Sequence, residues 1–203
     1  MKSLVRLRPA VLSVKSLSIN AQGYVSTWSR RRGMYDRIIR VDHAGEFGAD
    51  RIYAGQMAVL GNTDAGRVVR DMWEQEKEHL RMFNELVEKH GVRRTVLMPF
   101  WDIAGYALGA GSALLGKEMA MTCTIAVESV ITKHYNDQIK ELTDDDPVQN
   151  KELLDVLTKC RDDEEHHHDL GILHQGMESP FYNIASCLIK TGCRIAIAIA
   201  ERI

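Results

Sequence analysis

Two short motifs, far apart in the chain, place a histidine three residues after a glutamate. They are Glu76-x-x-His79 in the run EKEH and Glu164-x-x-His167 in the run EEHHH. On a helix, residues three apart share a face, so each motif offers a carboxylate beside an imidazole. This combination of donors suits iron or manganese. One such motif alone is weak evidence, because Glu and His on helices are more often solvated or salt-bridged.

Both motifs continue rows of apolar residues that recur every three or four positions, the spacing of a buried helix face. The rows are Val69, Met72, Glu76, His79, Phe83 and Leu86, and Leu153, Leu157, Cys160, Glu164, His167 and Gly171. The second row decides between a metal site and a solvated charge run for RDDEEHHHDLG (161–171). It predicts that Glu164 and His167 are buried, whereas Glu165 and His168 lie about 100° further round the helix.

Two further apolar rows each contain one glutamate. Glu46 begins a row with Ala49, Tyr53, Met57 and Leu60, and Glu128 interrupts a row with Met121, Ile125, Ile131, Tyr135, Ile139 and Leu142. Four buried carboxylates would each cost several kcal/mol if they were charged and unpaired. Two divalent ions would balance them. The chain order of Glu, ExxH, Glu, ExxH is that of dinuclear carboxylate bundles, and the alternative is a coincidental polar core.

The rest of the sequence predicts the helices that position these residues. Long stretches rich in Ala, Leu, Glu, Lys, Met and Ile, separated by a few Gly, Pro and Asp clusters, predict an all-α protein. We expect helices near 35–60, 66–89, 112–142, 148–175 and 181–202. The connection from 90 to 111 is long and the other connections among the first four helices are short. This pattern is typical of a four-helix bundle with one long crossover.

Composition limits the domain organisation and the partners. The chain has 203 residues, a net charge of −2 and a sequence pI near 6.4, so we expect one main domain and no nucleic-acid partner. Residues 1–33 contain basic residues and many serines, and no acid occurs before Asp36. This composition predicts a mitochondrial transit peptide followed by a domain at 34–203, with a disordered basic tail as the alternative. The four cysteines form no CxxC pair, which favours reduced thiols.

Several longer segments resemble the demethoxyubiquinone hydroxylases of ubiquinone biosynthesis. They are RIIRVDHAGEFGADRIYAGQMAVL, MWEQEKEHL, ALGAGSALLGKE, CTIAVES, HYNDQIKEL and TGCRIAIAIAERI. The resemblance implies a ferritin-like di-iron monooxygenase that acts in the penultimate step of ubiquinone synthesis. Its iron ligands would fall on Glu46, Glu76, His79, Glu128, Glu164 and His167. Relatives often have a second acid directly after the third-helix ligand, where this chain has Ser129, so Glu128 is the only candidate on that turn.

The resemblance also implies the co-substrates. The family uses O2 and takes electrons from NADH, here without a Rossmann motif. Arg37, Arg194 and Arg202 are candidates to contact the phosphates of NADH, although arginines beside anionic lipid would look the same. Tyr135 and His134 follow Glu128 and are candidates to relay electrons or protons, although Tyr135 could simply be core. Of the other histidines, His174 is a candidate to hydrogen-bond to a metal-binding residue and hold it in position.

Two apolar segments predict how a prenylated quinone reaches the site. Residues 96–116 carry a single charge, Asp102, and include Trp101 and Tyr106, and residues 184–200 carry only Lys190 and Arg194. Charge, glycine or proline interrupts each segment, which favours membrane-facing helices embedded in one leaflet over spanning helices, with core packing as the alternative.

The resemblance places the protein peripherally on the matrix side of the mitochondrial inner membrane. It would lie in a ubiquinone-biosynthesis complex with a lipid-binding accessory protein, and we expect a homo-oligomer. The rival hypotheses are a non-enzymatic ferritin-like iron-binding or storage protein and a membrane-associated structural protein with a vestigial site. Storage proteins need polar outer helices, which the two apolar segments oppose.

Overall fold

The computed structural model describes the backbone of residues 14–203 and the side chains of residues 29–203, and this part of the chain is helical with no strand. The six α-helices are α1 (Val14–Leu60), α2 (Asp64–His90), α3 (Met98–Leu114), α4 (Lys117–Asp145), α5 (Lys151–Leu173) and α6 (Tyr182–Ala200), with a short 3₁₀ turn at Gly176–Glu178. The predicted all-α, ferritin-like bundle is confirmed.

The chain divides into two units, residues 1–35 and 36–203. In the first unit, the described backbone from residue 14 onward is helical and belongs to α1, which therefore begins well before the predicted residue 35. The predicted transit peptide at 1–33 lies partly outside the described residues and stays a prediction. Every feature described below belongs to the second unit.

Local sequence signals define the ends of α2. Thr63 precedes it in an extended conformation, and its hydroxyl accepts a hydrogen bond of 3.1 Å from the Gly66 amide. This satisfies one of the amides that the first turn leaves without a helical partner. At the other end, Gly91 adopts φ 61° and ψ 37°, a left-handed conformation that glycine reaches without a steric penalty. The helix therefore has a defined length, which fixes where its inward residues lie.

The four bundle helices α1, α2, α4 and α5 bury most of the rows that their sequences predicted, and in α1 only Met57 of its row is half-buried. The rows in α2 and α5 are buried throughout, including both ExxH pairs. In α4 the predicted row is buried except that Ile131 is half-buried and Gln138 is buried in place of Ile139. An apolar cluster that includes Tyr53, Met72 and Met121 closes one side of the core.

Most of the predicted long crossover at 90–111 forms the helix α3, which falls within the apolar segment 96–116 that the sequence predicted as a membrane-facing helix. The glycine-rich sequence has weak intrinsic helix propensity, and close packing on α1 compensates for this weakness. At Gly109 a Cβ atom would lie 1.9 Å from the carbonyl oxygen of Ile52. Glycine here lets the two backbones approach, and α3 then lies along α1 beside the core.

The apolar side chains of α3 and α6 are largely exposed. The most exposed examples are Leu114 (75%), Ile103 (74%), Leu188 (68%) and Ile184 (62%). Within the described residues, α6 is long and apolar enough to cross a membrane as judged by length and composition alone, and 11% of its most apolar window is buried. The prediction that residues 184–200 lie in one leaflet without spanning the membrane stays a prediction.

Candidate metal centre

Six side chains from four helices meet in the middle of the bundle. Each of them has at most 2% of its surface exposed. They are Glu46 from α1, Glu76 and His79 from α2, Glu128 from α4, and Glu164 and His167 from α5. The structure thus brings together the six residues that the buried rows selected. Glu165 is exposed and His168 is partly exposed, in agreement with the predicted register of α5.

The six residues form two overlapping sets, each of which could hold one metal ion. One set is Glu46, Glu76, His79 and Glu164, and the other is Glu76, Glu128, Glu164 and His167. Within each set, one donor atom per residue lies within 4.8 Å of all the others. Glu76 and Glu164 belong to both sets and therefore sit where bridging carboxylates would lie. Two adjacent sites that share two carboxylates are the arrangement of a dinuclear centre.

The hydrogen bonding of these groups fits a cation between them. Both carboxylate oxygens of Glu76, Oε2 of Glu46 and Nδ1 of His79 are buried and lack a hydrogen-bond partner within the protein. A buried polar atom without a partner costs on the order of 1–3 kcal/mol, and more when it is charged. Divalent ions would satisfy these atoms and neutralise the carboxylates together. The donor set of carboxylates and imidazoles suits iron or manganese rather than a structural zinc site rich in cysteine.

The pKa values of the buried carboxyl and imidazole groups indicate that protons take the place of the cations when no metal is bound. Burial raises the pKa of Glu128 well above its usual value, and Glu164 and Glu76 raise it further. Burial alone would lower the pKa of His167, but its contacts with Glu164 and Glu76 outweigh burial and raise this pKa to about 10. Protons therefore neutralise the metal-free cluster. Metal binding must displace them, which makes it dependent on pH.

Each lone glutamate accepts a hydrogen bond from a buried tyrosine. Tyr53 Oη donates to Glu128 Oε1 at 2.9 Å, and Tyr135 Oη donates to Glu46 Oε1. Burial, followed by the nearby glutamates, raises the pKa of both phenols well above the usual value, so both keep the proton that they donate. The structure therefore gives Tyr135 a contact with a candidate ligand. Tyr53 has the equivalent role, and the sequence analysis had assigned it only to the core.

The outward nitrogens of the two buried histidines contact different partners. His79 Nε2 lies 3.0 Å from Asp163 Oδ2, and His167 Nε2 lies 2.6 Å from Gln75 Oε1. The sequence analysis missed Asp163 and Gln75, because neither belongs to a buried row. The available signal was their position, since each directly precedes the glutamate of an ExxH motif.

The other candidate residues lie outside the ligand cluster. His134 contacts the buried Asp42 at 3.4 Å and Gln138 at 2.8 Å, so it belongs to a polar network on the α1–α4 side of the core. His174 caps the C-terminus of α5 through its backbone. No contact with the ligands is found for His174 among the described residues, so its predicted supporting role finds no basis there.

The three candidate arginines lie towards the C-terminal end of α6. Arg37 contacts Glu141 at 2.5 Å and Glu201 at 3.2 Å, which ties it to the end of α6. Arg202 donates to the backbone of α6 at Ala198, and Arg194 is an exposed residue two turns earlier. Arg37 and Arg202 therefore lie near one end of α6, and their contact with phosphates stays a prediction.

Cys160 is a thiol close to one of the two metal sets. Its sulfur lies within 4.8 Å of donor atoms of Glu46 and His79. Burial, followed by the charge of Glu46, raises the pKa of this thiol, so it stays protonated in the metal-free protein. Cys160 thus fills space beside the cluster as a small apolar group.

An apolar cavity of about 610 Å³ lies beside the cluster. Its walls come from α1, α3, α4 and α6 and include Ile52, Trp101, Leu108 and Ile189. Gly45 and Val127 also line it, and they are the sequence neighbours of the candidate ligands Glu46 and Glu128.

The cavity has the volume and the walls of a small-molecule site. Its position means that an apolar molecule held in it would lie beside the ligand cluster.

Comparison with known proteins identifies the family. A family model described as "Ubiquinone biosynthesis protein COQ7" matches residues 33–200. The chain belongs to this family. Its match begins where the predicted transit peptide ends and includes all six candidate ligands.

Named relatives of this family extend over most of the chain. The chain is 58% identical over 177 residues to a Caenorhabditis elegans protein named NADPH-dependent 3-demethoxyubiquinone 3-hydroxylase, mitochondrial, which covers 87% of this chain and 95% of the relative. A Homo sapiens protein of the same name is 56% identical over 172 residues, 85% of this chain and 79% of the relative. A Rhodospirillum rubrum protein named 3-demethoxyubiquinol 3-hydroxylase is 41% identical over 198 residues, 94% and 92% of the two chains. The predicted resemblance is confirmed.

Proposed function

We propose that this protein is a di-iron monooxygenase that hydroxylates the ring of demethoxyubiquinone, in its quinol form, in the penultimate step of ubiquinone synthesis. The observation that carries the proposal is the pair of overlapping ligand sets sharing Glu76 and Glu164 beside an apolar cavity. The names of the relatives supply the substrate class. The reaction consumes O2 and two electrons with two protons, and one oxygen atom enters the ring while the other leaves as water.

The six buried residues would hold two iron ions. Glu46 and His79 would serve one ion, Glu128 and His167 the other, and Glu76 and Glu164 both. Bound ferrous iron supplies the electrons and the open coordination positions for O2 reduction that no side chain offers. The contribution of the chain is to fix the ligands through Tyr53 and Tyr135 and to keep the site dry.

The cavity would bind and orient the quinone. Its apolar walls match a prenylated ring, and the residues Gly45 and Val127 bring one end of it next to the ligands. The exposed apolar faces of α3 and α6 on the outside of the cavity would rest in the membrane, where the prenyl tail remains. A ring could then enter from the lipid without crossing water.

The electron donor would be a reduced nicotinamide dinucleotide. The names of the animal relatives specify NADPH, whereas the sequence resemblance implied NADH. We keep Arg37, Arg194 and Arg202 as candidate phosphate contacts. Because Arg37 already contacts Glu141 and Glu201, it would have to exchange one of these partners for a phosphate.

The cellular location follows from the relatives and from the apolar surface. The names of the eukaryotic relatives include the word mitochondrial. We propose that the mature protein lies on the matrix side of the inner membrane as a peripheral protein. A homo-oligomer in a ubiquinone-biosynthesis complex, with a lipid-binding accessory protein as partner, remains part of this proposal.

An oxygen-labelling experiment tests the function against iron storage. Iron-loaded protein receives labelled O2, a reductant and a demethoxyquinone with a prenyl tail, and mass spectrometry follows the quinone. We expect the label in a new ring hydroxyl and none in Glu128→Ala. Iron oxidation without a modified quinone, under conditions where quinone binding is demonstrated, would instead support the storage hypothesis.

A further inference from the structure

The two halves of the bundle correspond position by position. In each half a lone glutamate is followed seven residues later by a tyrosine, and the next bundle helix carries an ExxH motif. The corresponding pairs are Glu46 and Glu128, Tyr53 and Tyr135, Glu76 and Glu164, and His79 and His167. Each tyrosine donates to the lone glutamate of the opposite half. A symmetric frame of this kind would give two equivalent metal ions.

Among the residues that contact the outward nitrogens of the two histidines, one pair of corresponding positions breaks the symmetry. The residue before the glutamate of the first ExxH motif is Gln75, and the residue before that of the second is Asp163. Each one reaches the histidine of the opposite half. Gln75 contacts His167 at 2.6 Å and Asp163 contacts His79 at 3.0 Å. One histidine is therefore backed by a neutral amide and the other by a carboxylate.

The acceptor type fixes the tautomer of each histidine. The Asp163 carboxylate and the Gln75 amide oxygen can only accept, so each Nε2 must donate. The Nδ1 atoms then face inward toward the carboxylates, and a metal ion would replace the protons that they share with those carboxylates. His79 Nδ1 lies 3.1 Å from Glu164 Oε1, and His167 Nδ1 lies 3.0 Å from Glu76 Oε1. Both imidazoles are thus oriented to bind a metal through Nδ1.

We propose that Asp163 makes His79 a stronger metal donor than His167, so that the ion on the His79 side binds more tightly. The proposal rests on the proposed dinuclear centre. A hydrogen bond to a carboxylate draws the Nε2 proton away and increases the basicity of the opposite nitrogen. The Gln75 contact is shorter, but the amide oxygen carries no net charge. Lys159 lies 2.7 Å from Asp163 and holds the carboxylate in place.

Asp163 and Gln75 are positioning residues, because they act through the histidines. Both can be substituted without disturbing the core, because Gln75 is exposed and the side chain of Asp163 is 27% exposed. The two residues can therefore be exchanged in type without placing a new charge in the core. This gives a symmetric pair of variants, Asp163→Asn and Gln75→Glu, with opposite expected effects.

Metal titration of the metal-free full chain tests the proposal. Co²⁺ is added anaerobically and binding is followed by calorimetry. We expect two binding events of different affinity. Asp163→Asn should weaken the tighter event by about 10- to 100-fold, the usual effect of removing such a partner. Gln75→Glu should tighten the weaker event and leave the tighter one unchanged. In the double variant, the ion on the His167 side should bind more tightly than the ion on the His79 side. Adding His79→Ala to the double variant should therefore leave the tighter event intact.

Two controls separate this effect from charge and from folding. Asp162→Asn removes the same charge one residue away, where the side chain contacts Arg161 and is exposed, and it should leave both events unchanged. Asp163→Glu retains a carboxylate and should restore most of the affinity. In ⁵⁷Fe-loaded protein the two iron sites should give distinct Mössbauer signals that converge in Asp163→Asn, a change that a purely structural role would not produce.

The outcomes distinguish the two proposals. Two events that respond equally to Asp163→Asn and Asp162→Asn, or a weakening confined to the weaker event, would overturn the assignment of Asp163. If Asp163→Asn did not fold, the same decision would rest on Gln75→Glu, for which no change in the weaker event would count against the proposal. Absence of any two-ion binding in the unaltered protein would overturn the dinuclear centre itself.

Discussion

Tyr53 donates a hydrogen bond of 2.9 Å to Glu128, across the core from the opposite half of the bundle. This bond favours the ionised carboxylate, whose pKa burial and the neighbouring glutamates raise. Tyr53→Phe should therefore raise the pKa of Glu128 further and make protons compete better with metal. Because a hydrogen bond to a charged group contributes about 1.5–3 kcal/mol, we expect metal affinity to fall by about 10- to 100-fold.

The measurement is Co²⁺ titration at pH 6 and pH 8. The loss should be larger at pH 6, where more of the Glu128 carboxyl is protonated. Tyr106→Phe, which changes a partly exposed tyrosine of α3, is the control. An equal loss at both pH values would contradict the explanation through protonation.

The register of α5 predicts which half of its charged run binds iron. Glu164 and His167 are buried in the cluster, whereas Glu165 is exposed and His168 contacts Asp169. Glu164→Ala and His167→Ala should remove most bound iron, from about two ions per chain in the unaltered protein. Glu165→Ala and His168→Ala should retain it. Iron analysis after anaerobic reconstitution provides the measurement, and greater damage from the second pair of variants would contradict the register.

The sequence predicted the ligand cluster well because the candidate ligands recur at the same three- and four-residue spacing as the buried apolar residues. A carboxylate within an apolar row has few alternatives to a cation, so the rows alone located Glu46 and Glu128. Asp163 and Gln75 were missed because they lie off the rows and meet the histidines only through helix packing. Helix α3 is absent from the five helices expected by range, although its apolar segment was expected to form a membrane-facing helix, and the closest approach of its glycines is that of Gly109 to the Ile52 backbone.

Two glycines of α3 make opposite predictions for stability. A Cβ atom at Gly109 would meet the Ile52 backbone at 1.9 Å, whereas one at Gly111 would have nothing within 4 Å. Gly109→Ala should lower the free energy of unfolding by about 1–3 kcal/mol, the usual cost of overpacking. Gly111→Ala should be neutral or raise it by up to about 1 kcal/mol through helix propensity. Urea denaturation of both variants would show whether α3 packs on α1 as closely as described.

The pair of His134 and Asp42 predicts a pH dependence of stability. Burial and the charge of Arg37 would lower the pKa of His134. Asp42 and Glu201 outweigh them and raise this pKa above 6.5. The interactions that raise a histidine pKa contribute their full stability at pH values below the pKa of the unfolded state, about 6.5. This contribution disappears as pH rises through the pKa of the folded state.

His134→Gln should therefore cost more stability at pH 6 than at pH 9. Urea denaturation at both values, with chelator present throughout, measures the difference. His168→Gln, which removes a contact with the exposed Asp169, is the control and should show no such trend. A cost for His134→Gln that is the same at both values would contradict the ion pair.

The exposed apolar faces of α3 and α6 predict membrane binding that single charges can weaken. Ile103 on α3 and Ile184 on α6 are 74% and 62% exposed, and neither lines the cavity. Transferring an isoleucine side chain into an apolar phase contributes about 1.5–3 kcal/mol, so Ile103→Glu and Ile184→Glu should each weaken vesicle binding at least about tenfold. Co-sedimentation with liposomes measures binding, and iron content should not change because neither residue approaches the cluster.

Val148→Glu provides the matched control. Val148 is 80% exposed but lies in the turn between α4 and α5, away from the two apolar faces. Equal losses in all three variants would contradict the assignment of the membrane surface to α3 and α6. Protease added to the opposite side of the vesicles then tests whether α6 crosses. We expect no cleavage, because α6 also packs on α4 and contributes Ile189 and Cys193 to the cluster around Ile52. A fragment cut at one end of α6 from the far side would show that the helix spans the bilayer.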